Sequence, residues 1–220
     1  MGERWVSFDC YGTLVDWNGG ISAELARHFG AAEAPRLLER YHELEPQLEA
    51  DGTRSYRAVL TDALLLLAVE ERVTLPEGEE DALARSLPSW PAFPEVPGAL
   101  QELRSAGWKL AILSNSDQDL IAASQRALGI EADLVVVAGE IGAYKPDHAH
   151  WDVFFERSDA PRERHVHTAA SLFHDIAPCR ELGVRSVWIN RLDERADPEP
   201  TRELLDLSAL PATLEELVPA

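Results

Sequence analysis

Apolar and polar positions follow two rhythms along this chain. Trp5, Val6 and Phe8 form a short apolar run that stops at Asp9 and breaks on Gly12, the mark of a buried strand ending in a tight turn. No further strand signal appears before Pro97. Residues 22–29, 33–50, 54–72 and 79–88 instead carry Leu, Ala, Glu and Arg at helical spacing. Ser22 and Ser55 are candidate helix starts. Pro76 and Gly78 interrupt the pattern, and the Pro-rich residues 88–97 end it. Beyond Pro97 the rhythm alternates. Helices are predicted over 98–106, 118–128, 149–158, 176–182 and 211–218, and strands over 109–114, 134–138, 165–171 and 185–190. Residues 193–203, charged and Pro-rich, are predicted to be a surface excursion. Strands alternating with helices of this length predict a doubly wound parallel sheet, an α/β class. The expected organisation is a Rossmann-like core from residues 1–14 and 94–220, with an inserted helical cap over residues 15–93.

In such a sheet the carboxyl ends of the strands form the ligand-binding edge. Four groups of polar residues follow successive strands there: Asp9, Ser114 with Asn115, the segment before Lys145, and Ser171 with Asp175. Each has a structural reading by itself. Asp9 fits a turn cap, Ser114 a helix cap, Lys145 a solvated loop lysine, and Asp175 the N-cap of the helix over 176–182. Their recurrence after successive strands is what points to a site.

Composition narrows the partners. The net charge of −19 excludes nucleic acid, whose phosphates require Lys/Arg stripes, yet leaves room for a small anionic substrate in a locally positive cleft. No run of about 18 apolar residues occurs, so no membrane partner is expected. No signal peptide is visible. Two cysteines, Cys10 and Cys179, are too few for a disulfide framework, and a cytoplasmic location is expected. An acidic surface beside an apolar cap is compatible with a homodimer.

The motifs resemble those of the haloacid dehalogenase superfamily over almost the whole chain. Phe8-Asp-Cys-Tyr-Gly-Thr-Leu-Val-Asp16 is similar to its first motif, Leu113-Ser-Asn-Ser116 to its second, Tyr144-Lys-Pro-Asp147 to its third, and residues 171–183 to its fourth. The resemblance implies Asp9 as a nucleophile. Most members are magnesium-dependent phosphatases, which carry a second Asp two places after the nucleophile and another acidic residue in the fourth motif. Here those places are Tyr11 and Ser171. A phenol with a pKa of about 10 is a poor acid near neutral pH, and Asp9 with Asp175 alone is a poor site for a hard cation. A halide leaves without a proton, so both departures fit the 2-haloacid dehalogenase branch, which also has Tyr at the place of Tyr11. No cofactor is then expected; Mg²⁺ belongs only to the phosphatase alternative. A scaffold that binds a metabolite without catalysis is the third reading.

The resemblance implies further roles. Asp9 attacks the halogen-bearing carbon of a short 2-haloacid, and water hydrolyses the resulting ester to a 2-hydroxy acid and halide. Lys145 keeps Asp9 ionised, Asp175 orients Lys145, and Thr13 supports Asp9. Ser114 and Asn115 hold the substrate carboxylate. Arg40, thirty-one residues after Asp9, is expected to face the halide, although its other reading is a surface helix arginine. Tyr11, Trp151, Ser171 and His174 are expected around the substrate, with Tyr56, Trp90 and Phe93 either at the pocket wall or in ordinary core. Leu172 and Ala170 stand where the branch has Asn and Ser.

Overall fold

Strand β1 (Arg4–Phe8) is buried along its whole length. Its side chains alternate between two apolar layers, Val6 and Phe8 on one face and Trp5 on the other, as a strand covered on both sides requires. The structure is a computed structural model that describes residues 2–50, 52 and 54–220. After β1 the chain leaves the sheet for α1 (Trp17–Phe29), α2 (Ala34–Glu49), α3 (Tyr56–Glu71) and α4 (Ala82–Ser86). It returns through α5 (Val96–Ser105) and then runs β2 (Trp108–Ser114), α6 (Gln118–Leu128), β3 (Leu134–Val137), α7 (Ala138–Ile141) and α8 (Ala149–Ser158). The last elements are β4 (His165–Ala169), α9 (Ala177–Leu182), β5 (Arg185–Ile189), β6 (Arg202–Leu204) and α10 (Leu210–Leu217).

Among the described residues six strands form one sheet in the order β3-β2-β1-β4-β5-β6, every neighbouring pair parallel. This is the α/β, doubly wound architecture expected, with a helical cap inserted after β1. Strand order reverses beside β1, so successive connections diverge there and leave a crevice at the carboxyl edge. Asp9 stands at that switch point.

Several boundaries differ from the sequence pattern for local reasons. Helix α1 starts at Trp17, not at Ser22, because the Asp16 side chain accepts the Gly19 N–H at 2.9 Å and caps the helix a turn earlier. Ser55 does cap α3, accepting from the Ala58 N–H. The expected helix over 79–88 is a five-residue helix followed by one tight turn at Leu87–Ser89. Residues 193–203 are not wholly an excursion, since the chain re-enters the sheet as the short edge strand β6. Asp175 is not an N-cap: Leu172–Ile176 form a single wide π-type turn running into α9, capped instead by Ser171. Such turns recur at functional sites because they redirect one side chain.

Cap and sheet share one apolar cluster. Leu37, Tyr41, Leu60 and Leu64 of the cap belong to the same buried group as Val6, Phe8 and Ile112 of the sheet. Gly20 is needed where α1 crosses Trp90, because a β-carbon there would lie 2.3 Å from the indole.

Candidate active site

The turn after β1 requires Gly12 at φ +85°, a conformation that favours glycine. It folds Thr13 back so that its hydroxyl donates to Asp9 Oδ2 at 3.1 Å. The same Thr13 oxygen accepts the Ala170 N–H at 2.9 Å, tying the ends of β1 and β4 together. Asp9 Oδ1 accepts from Lys145 Nζ at 2.9 Å. That ammonium also donates to Asp175 Oδ1 at 2.7 Å and to the Leu113 carbonyl at 2.9 Å. All three protons of a buried lysine are thus satisfied. The loop carrying Lys145 is fixed by Asn115, whose Oδ1 accepts the Lys145 N–H at 2.6 Å and whose Nδ2 donates to the Lys145 carbonyl at 3.0 Å.

The electrostatics follow from this geometry. Burial works against the Lys145 ammonium, but Asp175 and Asp9 outweigh it and hold the group above the ordinary lysine range. Burial likewise raises Asp175, yet Lys145 and His167 overcome it and keep the carboxyl well below the usual carboxylate range. For Asp9 burial wins over Lys145, and its carboxyl lies above its ordinary value. Asp175 Oδ2 is buried without a hydrogen-bond partner among the described residues.

Above these groups lies a cavity of about 530 Å³ between sheet edge and cap. Asp9, Tyr11, Ser114, Asn115, Lys145, Ser171, His174 and Asp175 all line it. The Tyr11 hydroxyl is engaged by another side chain: the oxygen lies 3.1 Å from Ser124 Oγ, and the ring stacks on Tyr56. Burial pushes this phenol far above its ordinary range, so it stays neutral. Ser171 Oγ accepts the His174 N–H at 3.0 Å, and burial lowers the His174 imidazole, keeping it neutral.

Two expected residues are not brought in. Arg40 lies on the outer face of α2, where it pairs with Glu43 at 2.6 Å and Glu70 at 2.7 Å. Trp151 is fully buried in the apolar layer on the other sheet face, edge-on to His167, and does not line the cavity. Tyr56 and Phe93 do line it, whereas Trp90 packs edge-on to Tyr11 from behind.

Three residues went unforeseen. Glu45 and Glu49 enter the cavity from the inward face of α2. Glu45 accepts from Tyr56 Oη at 2.9 Å and Tyr41 Oη at 3.1 Å. Burial raises it to about 7, and raises Glu49 to about 9 with the help of Glu45. The signal was present in the spacing: Tyr41, Leu44, Glu45 and Glu49 share one helical face, so two acids sit on an apolar stripe. Arg191, after β5, is the third. With Lys145 it supplies the Lys/Arg lining of the cavity, stacked 3.5 Å over Phe93 and held by Glu95 at 2.7 Å.

The donor set suits no hard cation. Lys145 already bridges Asp9 and Asp175, and Ser171 offers no charge. No group of three or more His, Cys, Asp or Glu side chains among the described residues is arranged to hold a metal. Cys10 and Cys179 are buried and unpaired. No helix among the described residues is long and apolar enough to cross a membrane.

Comparison with known proteins agrees with this frame. The model of the haloacid dehalogenase-like hydrolases matches residues 3–183. An (S)-2-haloacid dehalogenase 1 from Pseudomonas sp. (strain CBS-3) is 31% identical, covering 96% of this chain and 96% of its own. A phosphoserine phosphatase of Thermus thermophilus is 30% identical over 81% of this chain and 72% of its own. Among solved structures, an L-2-haloacid dehalogenase superposes with a TM-score of 0.86 at 22% identity, covering 98% of this chain and 100% of its own.

Proposed function

The chain belongs to the haloacid dehalogenase-like hydrolases, and on that premise we propose that it hydrolyses short 2-haloacids to 2-hydroxy acids through an ester on Asp9. The observation that carries this reading is the Lys145 ammonium bridging Asp9 and Asp175 at 2.9 and 2.7 Å, beneath a cavity in which Tyr11 is turned away to Ser124. That arrangement supplies an oriented nucleophile and, at the place of Tyr11, no acid for the leaving group. A halide needs none, whereas an alkoxide leaving phosphorus does.

In the first step a carboxylate oxygen of Asp9 attacks the halogen-bearing carbon from behind the carbon–halogen bond, and the bonding pair departs with the halide. In the second, water adds to the Asp9 carboxyl carbon and the carbon–oxygen bond of the ester breaks at that carbon. Asp175 Oδ2 takes one proton of the water and passes it to the departing alkoxide oxygen, releasing the 2-hydroxy acid; the remaining proton is lost to solvent, and Asp9 is restored as a carboxylate. The stereocentre inverts once. Ser114 and the backbone N–H groups after it hold the substrate carboxylate. Arg191 takes the part expected of Arg40, balancing negative charge from the cavity wall. Trp17, Tyr56 and Phe93 keep the wall largely apolar. The division of labour is a core of residues 1–14 and 94–220 carrying the nucleophile and a cap of residues 15–93 closing over it.

The test is release of halide from chloroacetate and the 2-chloropropionate enantiomers, beside a phosphate-ester panel, with Mg²⁺ and with EDTA. Halide release indifferent to EDTA is expected. Phosphate release that requires Mg²⁺, with no halide from any haloacid, would sink the reading. The relative from Thermus makes that control necessary.

A further inference from the structure

A line of hydrogen bonds runs from Asp175 away from the cavity, into the sheet. His167 Nε2 lies 2.9 Å from Asp175 Oδ1. His167 Nδ1 lies 2.7 Å from Ser7 Oγ, and the same oxygen lies 2.7 Å from His165 Nε2. The four residues belong to adjacent elements: Ser7 is the register partner of His167 across β1 and β4, and His165 is two places earlier on the same strand face. All four are buried. Polar groups on a face otherwise occupied by Trp5, Trp151 and Phe154 have a desolvation cost that an apolar residue there would not have.

The direction of the line can be assigned. An ionised Asp175 only accepts, so His167 Nε2 carries a proton and donates. Ser7 then donates to His167 Nδ1 and accepts from His165 Nε2. His165 Nδ1, which has no partner among the described residues, is left as a bare lone pair. The reverse direction would strand an N–H there and place a second imidazole proton toward Ser7. Burial and His167 hold His165 far below the ordinary imidazole range, so it is neutral, as this order requires. Every donor in the line therefore points toward Asp175.

We propose that His167, oriented by Ser7 and His165, is a positioning residue: it pins Asp175 Oδ1 against Lys145 and leaves Oδ2 as the oxygen that accepts the proton of the hydrolytic water. His167 touches neither substrate nor Asp9. It acts on the second chemical step through Asp175, and the inference rests on the two-step reading above. Lys145 alone does not fix the carboxylate, which can rotate about its own axis while keeping one oxygen near the ammonium. Two donors on the same oxygen, Lys145 Nζ and His167 Nε2, hold the plane.

The experiment compares the first turnover with the steady state. His167→Phe removes the donor and keeps a ring against Trp151. The variant is expected to release about one halide per enzyme rapidly and then to turn over about 10–100-fold more slowly than wild type, the worth of one charge-assisted hydrogen bond. The Asp9 ester should accumulate and be seen as an added mass on the intact protein. His167→Gln, which retains an N–H of similar reach, should recover part of the loss, and Ser7→Ala should show the same pattern more weakly. A burst and a steady-state rate that fall by the same factor, or that both stay at wild-type level, would overturn the proposal. Should His167→Phe not fold, His167→Gln and Ser7→Ala carry the same comparison. Long-range nitrogen–proton NMR reads the line without any substrate. A proton on His167 Nε2 and none on Nδ1 is expected, and a proton on Nδ1 overturns it. Absence of halide release by the wild-type protein would strike the proposed function and leave the NMR test of the line standing.

Discussion

The two walls of the cavity treat the same functional group in opposite ways. On the sheet wall Asp175 is fully buried, yet Lys145 and His167 hold it well below its ordinary range. On the cap wall Glu45 and Glu49 are also buried, meet phenol and amide donors in place of an ammonium, and are raised to about 7 and about 9. Burial penalises the charge on both walls. The difference is how many donors oppose that penalty: Lys145 and His167 together overcome it at Asp175, whereas at Asp9, which meets Lys145 alone of the two, burial still wins. Near neutral pH Asp175 is therefore ionised beside the Lys145 ammonium, and the cap wall carries carboxyl groups that are wholly or partly protonated, able to donate as well as accept. The anionic substrate proposed above would meet the second wall with less repulsion because its acids are not fully charged.

The sharpest way to break this contrast is at the nucleophile. Asp9→Asn keeps the shape and removes the attacking oxygen, and halide release should fall by about 10⁴-fold or more; a single-turnover halide assay checks it. Next comes Lys145→Met. It strips the cation from two buried carboxylates, which should cost about 3–5 kcal/mol of stability as well as turnover. Denaturant unfolding measures the first and the halide assay the second. A variant that loses activity with unchanged stability would show that the sheet wall does not depend on the ion pairs.

A subtler effect separates the walls by sign. Glu49 is raised above its ordinary 4.5 to about 9, so between those values the folded state holds a proton that the unfolded chain has released. Its contribution is complete below about 4.5 and is lost as pH rises toward 9. Glu49→Gln should flatten this decline and raise Tm relative to wild type at about pH 8–9, with little change at about pH 5. Asp175 works in reverse: its folded value is lowered from 3.8, so its contribution is complete above that value and lost on acidification. Thermal scans across pH show both slopes. The smallest effect is expected from Arg40→Ala. Its guanidinium serves exposed pairs with Glu43 and Glu70, which contribute little, so Tm and halide release should match wild type. A large loss of activity would mean that α2 rotates Arg40 inward during turnover.

Much of this arrangement was legible in the chain. The alternating rhythm after Pro97 announced the parallel sheet, and helix 118–128 and helix 149–158 lie where periodicity puts them. Asp9, Ser114, Lys145 and Asp175 could be grouped because strand ends in a doubly wound sheet share one edge. Strand β6 escaped notice because three residues on a sheet edge need little apolar character. Arg40 misled because thirty-one residues of spacing do not say which side of a helix faces inward. Glu45 and Glu49 were not singled out, because helical spacing alone does not say which acids a cap turns inward, and the His165–Ser7–His167 line was invisible because its members come from two strands.

What the sequence determined by itself was therefore local and periodic: which segments form strands and helices, where a glycine turn must follow Asp9, and which polar residues end the strands. Tertiary structure decided the state of charge. Whether a carboxyl is lowered, as Asp175 is by Lys145 and His167, or raised by burial, as Asp9, Glu45 and Glu49 are, depends on distances of a few ångströms between residues far apart in the chain. Coulomb and desolvation energies are set by those distances and not by order along the backbone.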